Sequence, residues 1–245
     1  MNAEESAAHV SVRVRRWTER LRKSATRHGA GSFECVAGVD EAGRGPLAGP
    51  VVVAAVILCP HKPIVGLADS KVLCENERER LAAIIRRSAL AMSVVAVDVD
   101  EIDRYNILQA TLIGMQRALA ALSVPPVYAL IDGNILPKNM PCAGRAVIEG
   151  DGSEPAISAA SILAKTVRDR MMCDLDRRHP GYGFAQHKGY STPEHFQALD
   201  RLGPCILHRR SFAPVRRFFE PELFAADGSA LAAEAASRAS APAEA

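Results

Sequence analysis

The amino-acid sequence predicts an α/β fold in which a mixed β-sheet is flanked by helices. Three observations carry the prediction. Val-rich apolar runs at Phe33–Glu41, Val51–Leu58 and Met92–Asp98 are set off by Gly/Pro punctuation, as strands are. Longer stretches between and after them repeat apolar residues every three to four positions, as helices do. Val127–Asp132 is an uninterrupted apolar run behind a long helix, the pattern of a strand buried on both faces and reached by a crossover. The 245 residues, 48% hydrophobic, suffice for one domain with a sizeable core.

Taken in order, residues 1–32 read as a basic, flexible N-terminal extension. Arg13, Arg15, Arg16, Arg20, Arg22, Lys23 and Arg27 stand there against three acids, and a helix around Val12–Lys23 has only Trp17 and Leu21 to bury. Residues 33–218 form the folded domain. Its first two strands are close enough in sequence to pair as an antiparallel hairpin, and a helix over Glu75–Ala89 precedes the third. Asp98, Asp100, Glu101 and Asp103 read as helix-start acids, with Asp100 as N-cap of a helix over Glu101–Leu122 that Pro125 and Pro126 close. After the Val127–Asp132 strand, Pro137–Arg145 reads as a loop and Ala146–Glu149 as a short strand.

Ser153 is the expected N-cap of a long helix with Pro155 in its first turn. Ile157, Ala160, Ala164, Val167 and Met171 give that helix a core stripe, and it ends at Arg177-Arg178-His179-Pro180. A Gly/aromatic loop, Gly181–Tyr190, a helix over Pro193–Leu202 begun by Thr192, and the basic loop His208-Arg209-Arg210 complete the domain. Residues 219–245 hold five acids and one base, Arg238, and read as a disordered Ala/Glu-rich tail.

The net charge of +2 names no partner by itself. Six cysteines lack chelating or disulfide-framework spacing, and no apolar run is long enough to span a membrane. The start lacks the apolar stretch of a signal peptide, so a cytoplasmic protein with reduced thiols is expected.

The chain is organised around Val36–Pro50. An apolar run there delivers Asp40 and Glu41 to its end, and the loop Gly43-Arg44-Gly45-Pro46 turns into the next strand. Half-buried adjacent carboxylates call for a cation, and a hard divalent metal suits their oxygens. Gly43 and Gly45 let the backbone itself approach a phosphate or sugar. A dinucleotide-binding turn is excluded, because the spacing is G-x-G-x-x-x-G and a strand follows it. Parallel pairing of the first and fourth strands would bring Asp40 and Glu41 beside Asp132.

This stretch, together with Asp69-Ser70-Lys71, Leu130-Ile131-Asp132-Gly133, Gly150-Asp151 leading to Ala159–Lys165, His187-Lys188-Gly189-Tyr190 and Arg209-Arg210-Ser211-Phe212, resembles the type 2 ribonuclease H family, most closely its ribonuclease HII branch. The resemblance spans roughly residues 33–217 with the motifs in order. It implies a ribonuclease H-like fold with five strands and endonucleolytic hydrolysis of the RNA strand of RNA–DNA hybrids, including nicking 5′ of a single ribonucleotide in duplex DNA.

It further implies Asp40, Glu41, Asp132 and Asp151 as catalytic ligands of two Mn²⁺ or Mg²⁺ ions. Gly43, Arg44, Gly45 and Tyr190 would read the 2′-hydroxyl, with Arg44, Ser70, Lys71, Lys188 and Arg209 as candidate phosphate contacts. A basic residue common in the family two positions after the last aspartate is replaced here by Ser153, and Cys74 stands where a capping Ser or Thr is usual. The expected partners are nucleic acid and no membrane, with the protein a monomer. The competing reading is a non-catalytic hybrid-binding module tethered to a sliding clamp through the weak Glu220-Pro221-Glu222-Leu223-Phe224 motif.

Overall fold

The computed structural model describes residues 19–23, 35–67 and 70–220. Five strands form one sheet: β1 (Val36–Ala42), β2 (Val51–Ile57), β3 (Ala91–Val97), β4 (Tyr128–Asp132) and β5 (Ala143–Val147), in the spatial order β3-β2-β1-β4-β5. β1 and β2 make the expected antiparallel hairpin, β3 extends it antiparallel, and β4 and β5 add on the other side in parallel. The helices are α1 (Glu75–Ser88), α2 (Val99–Ala120), α3 (Gly150–Ser153), α4 (Pro155–Arg178), α5 (Phe184–His187), α6 (Pro193–Leu202) and α7 (Ala213–Arg216). This is the five-stranded mixed sheet flanked by helices that the sequence predicts.

The sheet is buried on both faces, which is why β2 is apolar at every position. Successive side chains alternate between the faces. Val52, Ala54 and Val56 pack with Leu81 and Ile85 of α1 and with Ala160 and Leu163 of α4. Val51, Val53 and Ile57 pack with Ile102, Met115 and Leu119 of α2 on the other face. Helix α4 reaches β1 because Gly38 has no side chain: a Cβ there would stand 2.1 Å from the carbonyl carbon of Ala156. That contact sets the start of α4 against the strand that carries Asp40 and Glu41.

Several boundaries differ from the expectation, each for a local reason. Helix α2 starts at Val99 with Asp98 as N-cap residue, which leaves Asp100 and Glu101 in the first turn, where the helix dipole favours acids. Asp103 serves elsewhere: its carboxylate accepts from the backbone N–H groups of Arg210 and Ser211, both at 2.9 Å. Strand β5 begins three residues early, at Ala143 inside the expected loop, and ends at Val147. It is a half-exposed edge strand, so its apolar signal is weak. Ser153 ends the short helix α3, and Glu154 is the residue before α4, with Pro155 in the first turn. The Gly181–Tyr190 stretch contains α5.

Leu21, assigned to a loose extension, is only 7% exposed and joins the α1/α4 side of the core. Residues 1–18 and 24–32 of the expected flexible extension and the tail after Glu220 lie outside the described residues, as does Asp69. Among the described residues no helix is long and apolar enough to cross a membrane.

Candidate active site

Parallel pairing of β1 and β4 aligns Val39 with Ile131, so the next residues, Asp40 two places before the end of β1 and Asp132 at the end of β4, fall on adjacent strands. Asp151 comes to the same edge on α3, held there by the packing of α4 on Gly38 and by Gly150, whose N–H donates to Asp132 Oδ1 at 2.8 Å. A cleft of about 270 Å³ opens over these strand ends. Asp40, Glu41 and Asp132 line it with Gly43, Arg44, Gly45, Ser70, Lys71 and Tyr190, so most of the expected site residues meet in one place.

The carboxylates are held under electrostatic stress. Burial, then the charges of Glu41 and Asp132, push the Asp40 carboxyl well above the usual carboxylate range. Glu41 and Asp132 are also raised, each chiefly by burial. Arg44 offsets this for Glu41 only in part, from 3.4 Å, and Glu41 Oε2 is buried without a hydrogen-bond partner. An orphaned carboxylate oxygen among like charges is the condition that a bound cation relieves.

The donor set is all oxygen, which fits Mg²⁺ or Mn²⁺. Among the described residues no three His, Cys, Asp or Glu side chains are already grouped as a metal cage. That is compatible with Mg²⁺, which takes one or two carboxylates and completes its shell with water and substrate oxygens.

The Gly43–Gly45 loop is built from below. Gly43 has φ +95°, and a Cβ on it would stand 1.9 Å from Arg168 Nε, so only glycine fits above that arginine. Gly45 has open space instead, with Tyr190, 3.8 Å from where a Cβ would be, its only close neighbour among the described residues. Tyr190 is 41% exposed and displays its ring beside the loop. Its backbone is anchored by histidines: His195 Nδ1 lies 2.9 Å from Tyr190 O, and His195 Nε2 lies 3.1 Å from His208 Nε2.

Three assignments change. Arg209 is not a phosphate contact, because it is 0% exposed and spends its donors on the carbonyls of Gly43, Arg44 and Gly49. Lys188 does not line the cleft, since its Nζ turns to Ala185 O and Cys173 Sγ. Lys71 reaches the cleft, but its ammonium sits 3.0 Å from Asp151 Oδ2, as a counter-charge to that acid.

Ser161 and Lys165 were not singled out and belong to the site. Ser161 hydrogen-bonds Asp40 and Ser70, and Lys165 forms part of the cleft wall. Both project from α4, which in sequence reads as a packing stripe of Ile157, Ala160, Ala164, Val167 and Met171.

A family model described as ribonuclease HII matches residues 37–215. The ribonuclease HII of Chromobacterium violaceum is 58% identical over 181 residues, covering 74% of this chain and 91% of the relative. Among solved structures, the ribonuclease H2 of Pyrococcus horikoshii OT3 superposes with TM-score 0.65 at 28% identity, covering 76% of this chain and 97% of that one. The RNase HII of Archaeoglobus fulgidus, solved as a PCNA:RNase HII complex, superposes with TM-score 0.57 at 27% identity, covering 71% and 93%.

Proposed function

The chain belongs to the ribonuclease HII family and is a ribonuclease H-type nuclease, and from that premise we propose that it hydrolyses the RNA strand of RNA–DNA hybrids and nicks duplex DNA 5′ of a single embedded ribonucleotide. The products are a 3′-hydroxyl and a 5′-phosphate. The observation that carries the reading is the convergence of Asp40, Glu41 and Asp132 with the Gly43–Gly45 loop and Tyr190 on one cleft. A phosphate-cutting group and a sugar-reading group are thereby set side by side.

Asp40, Glu41, Asp132 and Asp151 would hold two divalent ions, Mg²⁺ or Mn²⁺. When bound, such a pair supplies activation of the attacking water and stabilisation of the leaving 3′ oxygen. The protein's own contribution is orientation. Ser161 and the Glu41 N–H, which donates to Asp40 Oδ1 at 2.7 Å, fix the Asp40 carboxylate, and the Gly150 N–H fixes Asp132. Amides of the loop and the Tyr190 hydroxyl meet the ribose 2′-OH, the group that tells RNA from DNA. Arg44, Ser70 and Lys71 are the candidates for backbone phosphates, and Lys71 would exchange Asp151 for a phosphate as metal arrives.

The competing reading, a hybrid-binding module without activity, is disfavoured by family membership and by the intact acids. The assembly of the Archaeoglobus relative with PCNA supports a weak sliding-clamp contact for this chain, which we read as a cytoplasmic monomer. The test is cleavage of a duplex with one ribonucleotide against its all-DNA counterpart. A single nick 5′ of the ribonucleotide, none in DNA, and loss in excess chelator are expected, with Tyr190→Phe moderately slower and Tyr190→Ala slower still. A requirement for several consecutive ribonucleotides would overturn the single-hydroxyl mechanism.

A further inference from the structure

Two backbone N–H groups in the loop, those of Arg44 and Gly45, make no hydrogen bond among the described residues, and both residues are exposed and line the cleft. Their direction is set from behind. A trans peptide carries its C=O and N–H on opposite sides, and none of the peptides here is cis. Arg209 Nη2 donates to Gly43 O at 2.6 Å and Nη1 donates to Arg44 O at 2.8 Å. The Arg44 and Gly45 amides therefore face away from the guanidinium, toward the open side of the loop.

The same guanidinium ties down the far end of the loop, with Nε 3.0 Å and Nη2 2.8 Å from Gly49 O. Arg168, also 0% exposed, donates to Pro50 O at 3.0 Å, Ala48 O at 3.2 Å and Lys188 O at 3.0 Å, so it joins the loop to the stretch that carries Tyr190. Burial draws the Arg209 pKa down to about 9, which leaves it a cation at neutral pH. Neither guanidinium is in an ion pair among the described residues, so each charge rests on backbone carbonyl dipoles and on an aromatic face, that of Tyr190 at 5.8 Å for Arg168 and that of Phe212 at 5.1 Å for Arg209. A cation bonded to a carbonyl polarises that peptide and makes its N–H a better donor.

We propose that Arg209, backed by Arg168, is the positioning residue that aims the Arg44 and Gly45 amides at the substrate and so sets the discrimination between ribose and deoxyribose. The assignment rests on the reading that this loop senses the 2′-hydroxyl. Lysine is no substitute, because one ammonium lacks the planar fork that reaches three carbonyls at fixed angles.

The experiment uses the full chain with Arg209→Lys and Arg209→Ala. Three duplexes are compared: one with a single ribonucleotide, one with an all-RNA strand, and one all DNA. For Arg209→Lys, kcat/KM on the single ribonucleotide should fall about 100-fold through misplacement of the reacting groups. Cutting of the all-RNA strand should fall less, so the ratio between the two substrates shifts, which a simple loss of folded protein cannot do. Guanidinium at low millimolar concentration should restore part of the Arg209→Ala activity and leave Asp40→Asn inactive.

Amide hydrogen exchange on the wild type gives a readout that needs no variant. The Arg44 and Gly45 amides should exchange freely in the free enzyme and slow when the single-ribonucleotide duplex is bound in chelator. Folded Arg209 variants with the wild-type substrate ratio would overturn the proposal, and so would Arg44 and Gly45 amides already protected in the free enzyme. If the wild type fails to single out one ribonucleotide, the hydroxyl reading falls separately, and the exchange data alone decide whether Arg209 aims these amides.

Discussion

Asp40 carries the largest electrostatic burden of any residue in the cleft, being 5% exposed with two acids beside it. Asp40→Asn or Asp132→Asn keeps the shape and removes a charge. Cleavage should fall by about 100-fold or more, since even groups that merely orient metal ligands are worth 10–100-fold. The metal-free melting temperature at neutral pH should be no lower than that of the wild type, because the substitution relieves repulsion. Full cleavage by both variants at saturating Mn²⁺ would contradict the ligand role.

A second residue-level effect lies behind Tyr190. His195 and His208 are 0% and 1% exposed, and burial depresses the pKa of both, that of His208 to about 4. The unfolded chain takes up protons near the ordinary value of about 6.5, before the native state does. The stability these neutral rings contribute is therefore present above pH ~6.5 and is lost as pH falls toward 4. Melting temperature should drop between pH 7 and pH 5, and His208→Gln, which can donate and accept but does not titrate, should flatten that drop. An unchanged slope in the variant would place the titration elsewhere.

At the scale of elements, the hairpin β1–β2, the crossover strand β4 and helix α6 were legible because their apolar runs and turn residues are strong local signals. Strand β5 was displaced because an edge strand with Gly144 and Arg145 in it has little apolar pattern to read. Asp40, Glu41 and Asp132 were legible as carboxylates at the ends of apolar runs and Asp151 only through the family resemblance, while the braces were not legible, since an arginine in sequence reads as surface charge. One signal was available: Arg168 falls four residues from both Ala164 and Met172 on the buried side of α4, where a solvated base has no place.

The junction of β1 and α4 is the element contact on which the site depends. Gly38→Ala would drive a methyl into the Ala156 backbone and should destabilise the fold by about 1–3 kcal/mol. Cleavage by the folded fraction should fall too, because Asp151 moves with the start of α4. A variant with unchanged melting temperature and rate would show that the junction yields without cost.

For the molecule as a whole, Leu21 marks how far the folded unit reaches. Leu21→Ala should lower the melting temperature by several degrees, as loss of a buried side chain does, and leave the cleavage position unchanged. No change in melting would return this segment to a loose extension. The brace on the recognition loop spans the chain in another sense: Arg209 bonds to Gly43 across 166 positions. Domains tend to fold as units while the chain emerges from its N-terminus. The four acids, all before residue 152, therefore leave the ribosome well ahead of the arginine that aims the sugar-reading amides. On the proposed roles, the metal-holding acids are made first and the brace for sugar choice last, so selectivity would be completed only with the final part of the domain to be made.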